Sequence, residues 1–258
     1  MQKFLYLCAV KKSRIVTILL WLLSFLAMAY MVYRLAVYDD YASLQASLEA
    51  ADSYAWWCLG MVCMLMPLQL LVEAWRWQTM LSGLVGVTIW ESLQQVLAGN
   101  MAGFITPYRV GDFPARLLQI GYTLEDWKAA IGSWRKWLVD WRKWVVVIMQ
   151  TVLRYVIWGI QLWGALRFAG IMLTPVQAVG SISVYYFLIS VMPSMPAADV
   201  AVKGGWATVI FGKLTENIPG IAIAVTLIWI INTLFPIIIC FFQKIVVTLH
   251  VHSKHNSL

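Results

Sequence analysis

Charged side chains gather at a break in an otherwise apolar part of the sequence. Arg109, Asp112 and Arg116 lie within eight residues of one another, just after a Thr-Pro pair. Arginine binds carboxylate and phosphate groups through two parallel hydrogen bonds, and an aspartate can neutralise it or contact an amine. These residue types predict a site for an anionic or zwitterionic group. The candidate binding residues of this break are Thr106, Pro107, Arg109, Gly111, Asp112 and Arg116.

A second break, further along the chain, repeats this pattern. An apolar stretch ends at Pro193-Ser194-Met195-Pro196, and Asp199 and Lys203 follow, four residues apart. Both breaks therefore have a proline and then Asp-x-x-x-basic, which places the acid and the base on one helix face. The candidate residues of the second break are Pro193, Asp199, Lys203 and Gly204. Two such motifs at matching places indicate an internal repeat.

Arg154 is a further candidate because it falls deep inside an apolar segment. An arginine at such depth usually faces the interior of a helix bundle or a water-filled cavity. Pairing with a buried carbonyl or carboxylate is the alternative, and the two Asp-x-x-x-basic motifs could likewise be ion pairs that only neutralise one another. Glu73 and Arg76, three residues apart, are interpreted as a local ion pair at the membrane interface.

The composition defines the elements that must position these residues. Of the 258 residues 62% are hydrophobic and only 12% are charged, and the mean hydropathy is +0.76. Soluble domains do not have such values, so the chain is predicted to be an all-α, polytopic integral membrane protein. The net charge of +7 is attributed to basic cytoplasmic loops and gives no reason to expect a nucleic-acid partner.

The apolar runs predict four membrane spans, and the charges orient them. Basic residues precede the first run and acidic residues follow it, which places the N-terminus in the cytoplasm. The C-terminus is expected there too, because most of the 19 Lys and Arg residues then fall on the cytoplasmic side. The expected spans are residues 15–33, 54–74, 145–166 and 218–242 within a single transmembrane domain 1–258.

The two breaks are predicted to form re-entrant helical hairpins, at residues 91–119 and 174–212. In hydrocarbon every backbone polar group must be paired, so broken helix survives only where protein or a wet cavity covers it. One span separates the two hairpins, so they would enter from opposite sides as inverted repeats, each with a broken helix. Two tilted full spans meeting at a kink are the alternative to the first hairpin.

Between the hairpins, the polar, aromatic and basic stretch 122–143 leads into the duplicated heptad WRKWLVD-WRKWVVV, residues 134–147. Its tryptophans recur at helical spacing, with basic residues on an adjacent face. This pattern predicts an amphipathic helix beside anionic headgroups, with a simple cytoplasmic entry to the next span as the alternative.

Several kinds of chemistry lack the residues they need. The four cysteines show no metal-binding spacing, and the three histidines all fall between His250 and His255, so no cofactor or metal is expected. No phosphate-binding loop or activated nucleophile is visible. The protein is therefore not expected to be an enzyme. A lipid-modifying transferase and a non-transporting scaffold or regulator remain the alternatives to transport.

The stretch GNMAGFITPYRVGDFPARLLQ resembles the transmembrane domain of lysylphosphatidylglycerol synthases and their stand-alone relatives. EAWRWQ, LRYVIWGIQLWGALRFAGI, PSMPAADVAVKGG and LIWIINTLFP are similar to the same family. The resemblance implies a flippase-like protein of the bacterial inner membrane that moves a phospholipid or related lipid between leaflets. The expected partner is thus an anionic or zwitterionic phospholipid headgroup. No aminoacyltransferase domain accompanies the motifs, so synthase activity is not implied.

One departure from this family concerns the middle of the chain. The family usually has further spans between its two motifs, whereas here the Trp-Arg-Lys repeat and one span fill that region. A narrower bundle encloses a lipid path less completely, so a homo-oligomer or a partner membrane protein is a further expectation.

Overall fold

A computed structural model describes residues 22, 25–37, 52–82, 86–106, 109–119, 140–192 and 199–242. Every regular element in these ranges is a helix, which confirms the all-α prediction for the described part of the chain. The first half of the expected span 15–33, Pro107, Pro193 and the chain from 120 to 139, with most of the first heptad of the Trp-Arg-Lys repeat, lie outside the described residues.

Three described helices are long and apolar enough to cross a membrane. They are α2 (Ser53–Leu81), α5 (Trp141–Phe168) and α8 (Ile218–Phe242). Residues 230–234 of α8 form a π-helical turn, which lies at Asn232, one of the irregularities expected from the sequence. A shorter apolar helix, α1, covers Phe25–Ala36. α2 continues about two turns past the expected end at residue 74, because Trp77 and Leu81 still have apolar partners to pack against.

Each of the two breaks forms a pair of helices in contact with one another. α3 (Ile89–Ile105) packs on the short α4 (Asp112–Leu118), and α6 (Pro175–Val191) packs on α7 (Asp199–Phe211). α3 and α6 both have 17 residues.

α3 and α6 also begin in the same way. In α3, the Thr88 hydroxyl accepts a hydrogen bond from the backbone N–H of Glu91, and the Glu91 carboxylate accepts one from the backbone N–H of Thr88. Thr174 and Gln177 form the same capping box at the start of α6. Both boxes satisfy backbone donors that the first helical turn leaves open.

The chain divides into two compact units. The first unit contains Met1–Leu59 and Leu162–Leu227, and its buried residues include Leu166, Phe211, Ile218 and Ile221. The second contains Gly60–Gln161 and Ile228–Leu258, and its core joins α2, α3 and α8 through a cluster of buried residues. That cluster consists of Met66, Leu70, Ala74, Trp77, Leu81, Val96, Leu97 and Cys240.

Candidate functional site

A buried carboxylate on α2 joins two arginines from other parts of the second unit. Glu73 is only 3% exposed. Its Oε1 lies 2.8 Å from Nη2 of Arg116 on α4, and its Oε2 lies 2.8 Å from Nη2 of Arg154 on α5. Each carboxylate oxygen therefore holds one guanidinium group. A buried ion needs such close partners, because removing it from water is costly unless it is paired.

Arg116 has a second acidic partner on its own helix. Asp112, the first residue of α4, lies four positions earlier and accepts hydrogen bonds from Arg116 Nε and, at 3.3 Å, from Nη2. The Arg116 guanidinium also lies 5.4 Å from the ring centre of Trp77. The Trp77 indole N–H is fixed in turn by Gln95, at 2.6 Å. Arg116 is thus held by two carboxylates and an aromatic face.

Two glycines on α3 let the charged pair of α4 approach. A Cβ atom at Gly99 would lie 2.6 Å from Arg116 Nε and would also overlap the Asp112 carboxylate. A Cβ at Gly103 would lie 3.2 Å from both Arg109 Nε and Asp112 Cβ. The spacing Gly-x-x-x-Gly puts both glycines on one face of α3, and that face receives α4.

The connection between α3 and α4 is shaped by Thr106. Its hydroxyl donates to the carbonyl of Ala102 and accepts from the backbone N–H of Gly111, at 2.8 Å each. Arg109 has a φ of 55°, in the left-handed region that is costly for a residue with a Cβ. Its guanidinium reaches Asn100 Oδ1 at 2.9 Å and is 3.7 Å from Asp112, while 52% of the side chain stays exposed.

Arg154 belongs to a row of polar contacts between α2 and α5. Its guanidinium lies 4.3 Å from the ring centre of Trp158, and the Trp158 indole N–H donates to Gln69 on α2. Gln161 Nε2, further along α5, donates to the carbonyl of Val62 at 3.1 Å. At the other end, Gln150 Nε2 donates to the Thr79 hydroxyl at 3.0 Å.

The π-helical turn of α8 supplies the amide that completes this row. Asn232 lies in that turn and accepts hydrogen bonds from Gln69 and Gln161, at 3.3 Å each. It also donates to Gln161 Oε1 at 2.9 Å. Polar groups of three long apolar helices are thereby satisfied inside the unit, as hydrocarbon requires.

The first unit holds the second Asp-x-x-x-basic motif. Lys203 Nζ lies 2.7 Å from Asp199 Oδ2 on α7, and both side chains are mostly covered. The following Gly204 and Gly205 face α1, where added Cβ atoms would overlap Met31 and the backbone of Ala27. Both units therefore contain an Asp-x-x-x-basic pair on a short helix and glycines at a close helix contact, but in the second unit the glycines lie on α3 and receive the pair itself, whereas in the first unit they follow the pair on α7 and receive α1.

The structure brings together most of the residues that the sequence singled out in the second unit. The connection between α3 and α4 contains Thr106, Arg109 and Gly111. The buried cluster around Glu73 contains Asp112, Arg116 and Arg154. In the first unit, Asp199, Lys203 and Gly204 lie together on α7. Pro107 and Pro193 are outside the described residues.

The interpretation of Glu73 as a local partner of Arg76 is wrong. No ion pair within 4.0 Å joins Glu73 to Arg76, both of which the structure describes, and Glu73 pairs with Arg116 and Arg154 instead. The signal for this role was a single acid within an apolar span, which must find a partner wherever the fold supplies one. The pairing itself could not be read from spacing, because Arg116 lies 43 positions away.

The cluster has a simple charge balance. Glu73 and Asp112 offset the charges of Arg116 and Arg154, and two further cations lie close by: the half-exposed Arg109, which is 3.7 Å from Asp112, and Arg76, three residues after Glu73 on α2. Within the described ranges, no group of three His, Cys, Asp or Glu residues could hold a metal ion.

Comparison with known proteins gives one match. Residues 15–122 match the family described as the lysylphosphatidylglycerol synthase TM region. Neither the curated proteins nor the solved structures contain a match to the chain. The matched part includes Glu73 and the whole break from Thr106 to Arg116, and the second break lies beyond it. The resemblance is thus confirmed over residues 15–122, the part of this chain that matches the lysylphosphatidylglycerol synthase TM region family.

Proposed function

We propose that this protein moves a phospholipid or related lipid between the leaflets of the bacterial inner membrane. The observation that carries the proposal is the cluster of Glu73, Asp112, Arg116 and Arg154, which brings four ionisable groups into apolar helices. Ionisable residues at such positions are costly and usually mark a substrate or ion path. The match to a lipid-related membrane family supports the same class of substrate.

The expected ligand is an anionic or zwitterionic phospholipid headgroup. Arg109 is half exposed beside the cluster. It contacts the neutral Asn100 and, at 3.7 Å, Asp112, whose carboxylate also pairs with Arg116. Its guanidinium is suited to a phosphate group, which accepts two parallel hydrogen bonds from arginine. In the first unit, Lys203 would serve as the corresponding cation.

The proposed mechanism is the rocking of two inverted repeats, each built on a re-entrant hairpin. The matching capping boxes, helix lengths and Asp-x-x-x-basic pairs of α3–α4 and α6–α7 support the repeat. Transporters of this kind gate one repeat against the other around a fixed site. We propose no covalent step, a cytoplasmic location for both termini, and a second copy or a partner membrane protein that completes the lipid path.

Lipid transfer in proteoliposomes tests this function. Vesicles carrying fluorescent phosphatidylglycerol or phosphatidylethanolamine are treated with an external quencher, and the loss of inner-leaflet fluorescence gives the rate of transfer. Arg109→Ala and Lys203→Ala are each expected to reduce the initial rate about tenfold, corresponding to roughly 1.4 kcal/mol in the barrier. The matched controls are Arg34→Ala and Lys213→Ala, which remove cations that form no ion pair with a described residue.

The controls are expected to stay within about twofold of wild type. Equal rates for all five proteins would refute the role of these cations, and a rate no higher than in empty vesicles would refute transfer itself. The enzyme alternative is tested separately by mass spectrometry of lipids from overexpressing cells, in which a new lipid species would contradict the proposal.

A further inference from the structure

We propose that Glu73 is a resident counter-ion: its carboxylate occupies, between Arg116 and Arg154, the place that the phosphodiester of a lipid takes during translocation. The inference rests on the proposed function and assigns it a substrate group and an exchange step. Nothing covalent changes, because one oxyanion replaces another on the same two guanidinium groups.

The two arginines can hold either a carboxylate or a phosphodiester at the place where Glu73 now lies. Arg116 Nη2 and Arg154 Nη2 approach different oxygens of the Glu73 carboxylate at the same distance, 2.8 Å. The two non-bridging oxygens of a phosphodiester can accept from two guanidinium groups in the same way. Two arginines that converge from different helices on one oxyanion therefore form a clamp that a phosphate group can also use.

The charges of the two oxyanions are also equal. A glutamate carboxylate and a phosphodiester each carry one negative charge, so their exchange leaves the net charge of the cluster unchanged. This matters in apolar surroundings, where an unbalanced charge is costly. A phosphomonoester would bring about −1.5 to −2 and would leave an uncompensated charge. The clamp therefore favours diester headgroups over monoester headgroups.

Arg154 has hydrogen-bonding capacity that Glu73 does not use. Its Nε is buried and has no acceptor among the described residues. One turn earlier on α5, Gln150 Oε1 is also buried and has no donor among the described residues. Both oxygens of Glu73 are already engaged by Nη2 atoms. A phosphodiester has four oxygens, so it can occupy the clamp and also accept from Nε. A glycerol or ethanolamine group next to it can donate to Gln150.

A displaced Glu73 has another cation within reach. Arg76 lies three residues further along α2, a spacing at which helical side chains meet. It forms no ion pair with any described residue. The carboxylate can therefore turn from the clamp to Arg76 when a phosphate enters, and turn back to displace the phosphate when it leaves.

Binding of a short-chain lipid to purified protein tests the exchange. Calorimetry in detergent measures the affinity for dihexanoyl-phosphatidylglycerol in wild type, Glu73→Gln and the matched control Glu216→Gln, an exposed glutamate. Removing the competing carboxylate is expected to tighten binding about tenfold, or roughly 1.4 kcal/mol, while the control stays at the wild-type value. Transfer in proteoliposomes should slow in Glu73→Gln because no carboxylate displaces the bound phosphate. Dihexanoyl-phosphatidic acid, a monoester, should gain less affinity than the diester.

Arg76→Gln provides a second variant that leaves the resting clamp intact. Without Arg76 the displaced carboxylate has no counter-ion, so phosphatidylglycerol should bind about threefold more weakly, near 0.7 kcal/mol. Unchanged or weaker binding in a folded Glu73→Gln protein overturns the proposal. If that variant does not fold, Arg76→Gln decides: weaker binding supports the exchange and wild-type binding overturns it. If Glu73→Gln binds the lipid more tightly but the wild-type protein transfers no lipid, the proposed transport is refuted and the exchange at Glu73 is supported. If the wild-type protein transfers lipid but Glu73→Gln binds it no more tightly, the exchange is refuted and the proposed transport is supported.

Discussion

Gly99 and Gly103 set the distance between α3 and the charged helix α4. The Asp112–Arg116 pair fills the space where a side chain at Gly99 would begin. Because Arg116 also holds Glu73, any displacement of α4 would lengthen the contact that links α4 to α2. One missing Cβ atom on α3 is therefore a condition for the whole buried cluster.

Gly99→Ala is expected to displace the Asp112–Arg116 pair and to destabilise the protein by about 1–3 kcal/mol, the usual cost of overpacking. The measurement is the free energy of unfolding in detergent, together with lipid transfer in vesicles. Gly60→Ala is the matched control, because a Cβ there meets nothing within 4 Å. It lies on a helix of the same unit, so it should be neutral or stabilising by up to about 1 kcal/mol. Equal effects of the two substitutions would contradict the role of Gly99.

The residues of the cluster differ in how far the sequence revealed them. Asp112 and Arg116 were recognisable because a four-residue spacing on a helix brings them together whatever the rest of the fold does. Arg154 was recognisable by its depth, since a charge in an apolar segment must be paired. Glu73 was assigned to the nearest cation in sequence, and the fold gave it two distant ones. Local spacing determines local pairs, whereas a buried charge pairs according to how helices pack.

At the scale of elements, α3 and α6 both begin with a capping box, but only the box of α3 contains an ionisable side chain. Glu91 closes the capping box of α3, and the uncharged Gln177 closes that of α6. Hydrogen bonds from the backbone and then the hydroxyl of Thr88 lower the pKa of the Glu91 carboxyl from its ordinary value of 4.5. Only the start of α3 should therefore respond to acid.

The sign of this response follows from the lowered pKa of Glu91. The folded state binds the Glu91 proton less readily than the unfolded state, so the stabilisation is complete above pH 4.5 and is lost as the pH falls through the lower folded pKa. Glu91→Gln keeps an acceptor but cannot titrate. The difference in melting temperature between wild type and Glu91→Gln should hence shrink between neutral pH and about pH 3.5. Gln177→Glu is the converse variant and should acquire a pH dependence. A difference that does not change with pH would contradict the assignment.

The polar row along α5 shows what an element's sequence can predict. Gln150, Arg154 and Gln161 recur at helical spacing in an apolar segment, which predicts one polar face buried in protein. Their partners on α2 and α8 do not follow from that spacing, because they depend on the antiparallel register of two helices and on the π-helical turn at Asn232.

For the whole molecule, composition was sufficient to predict helices that span a membrane, since an apolar chain of this kind has few other ways to pair its backbone. The positions of the two breaks were also predictable, because proline, glycine and charge interrupt helices for local reasons. Division of the chain into two units was not predictable from the sequence. It depends on how α2, α5 and α8 each contribute residues to both.

The proposed inverted repeat makes a prediction about the two sides of the membrane. Gly86 and Met172 are exposed and lie two residues before the capping threonines of α3 and α6, so they occupy equivalent positions in the two proposed repeats. One candidate span, α5, lies between the two helix pairs along the chain, so equivalent positions should face opposite sides. In a background with Cys8, Cys58, Cys63 and Cys240 replaced, Gly86→Cys should react with an impermeant maleimide only from the cytoplasmic side. Met172→Cys should react only from the outer side.

Inverted membrane vesicles provide the control for this labelling, because the reactivity of the two cysteines should exchange when the membrane is turned over. A cysteine that reacts in neither preparation is tested after detergent solubilisation, which separates burial in protein from protection by the bilayer. Reaction of both cysteines from the same side would mean that α5 does not cross alone between the two pairs. The repeats would then be parallel, and rocking of two inverted halves could not move a headgroup from one leaflet to the other.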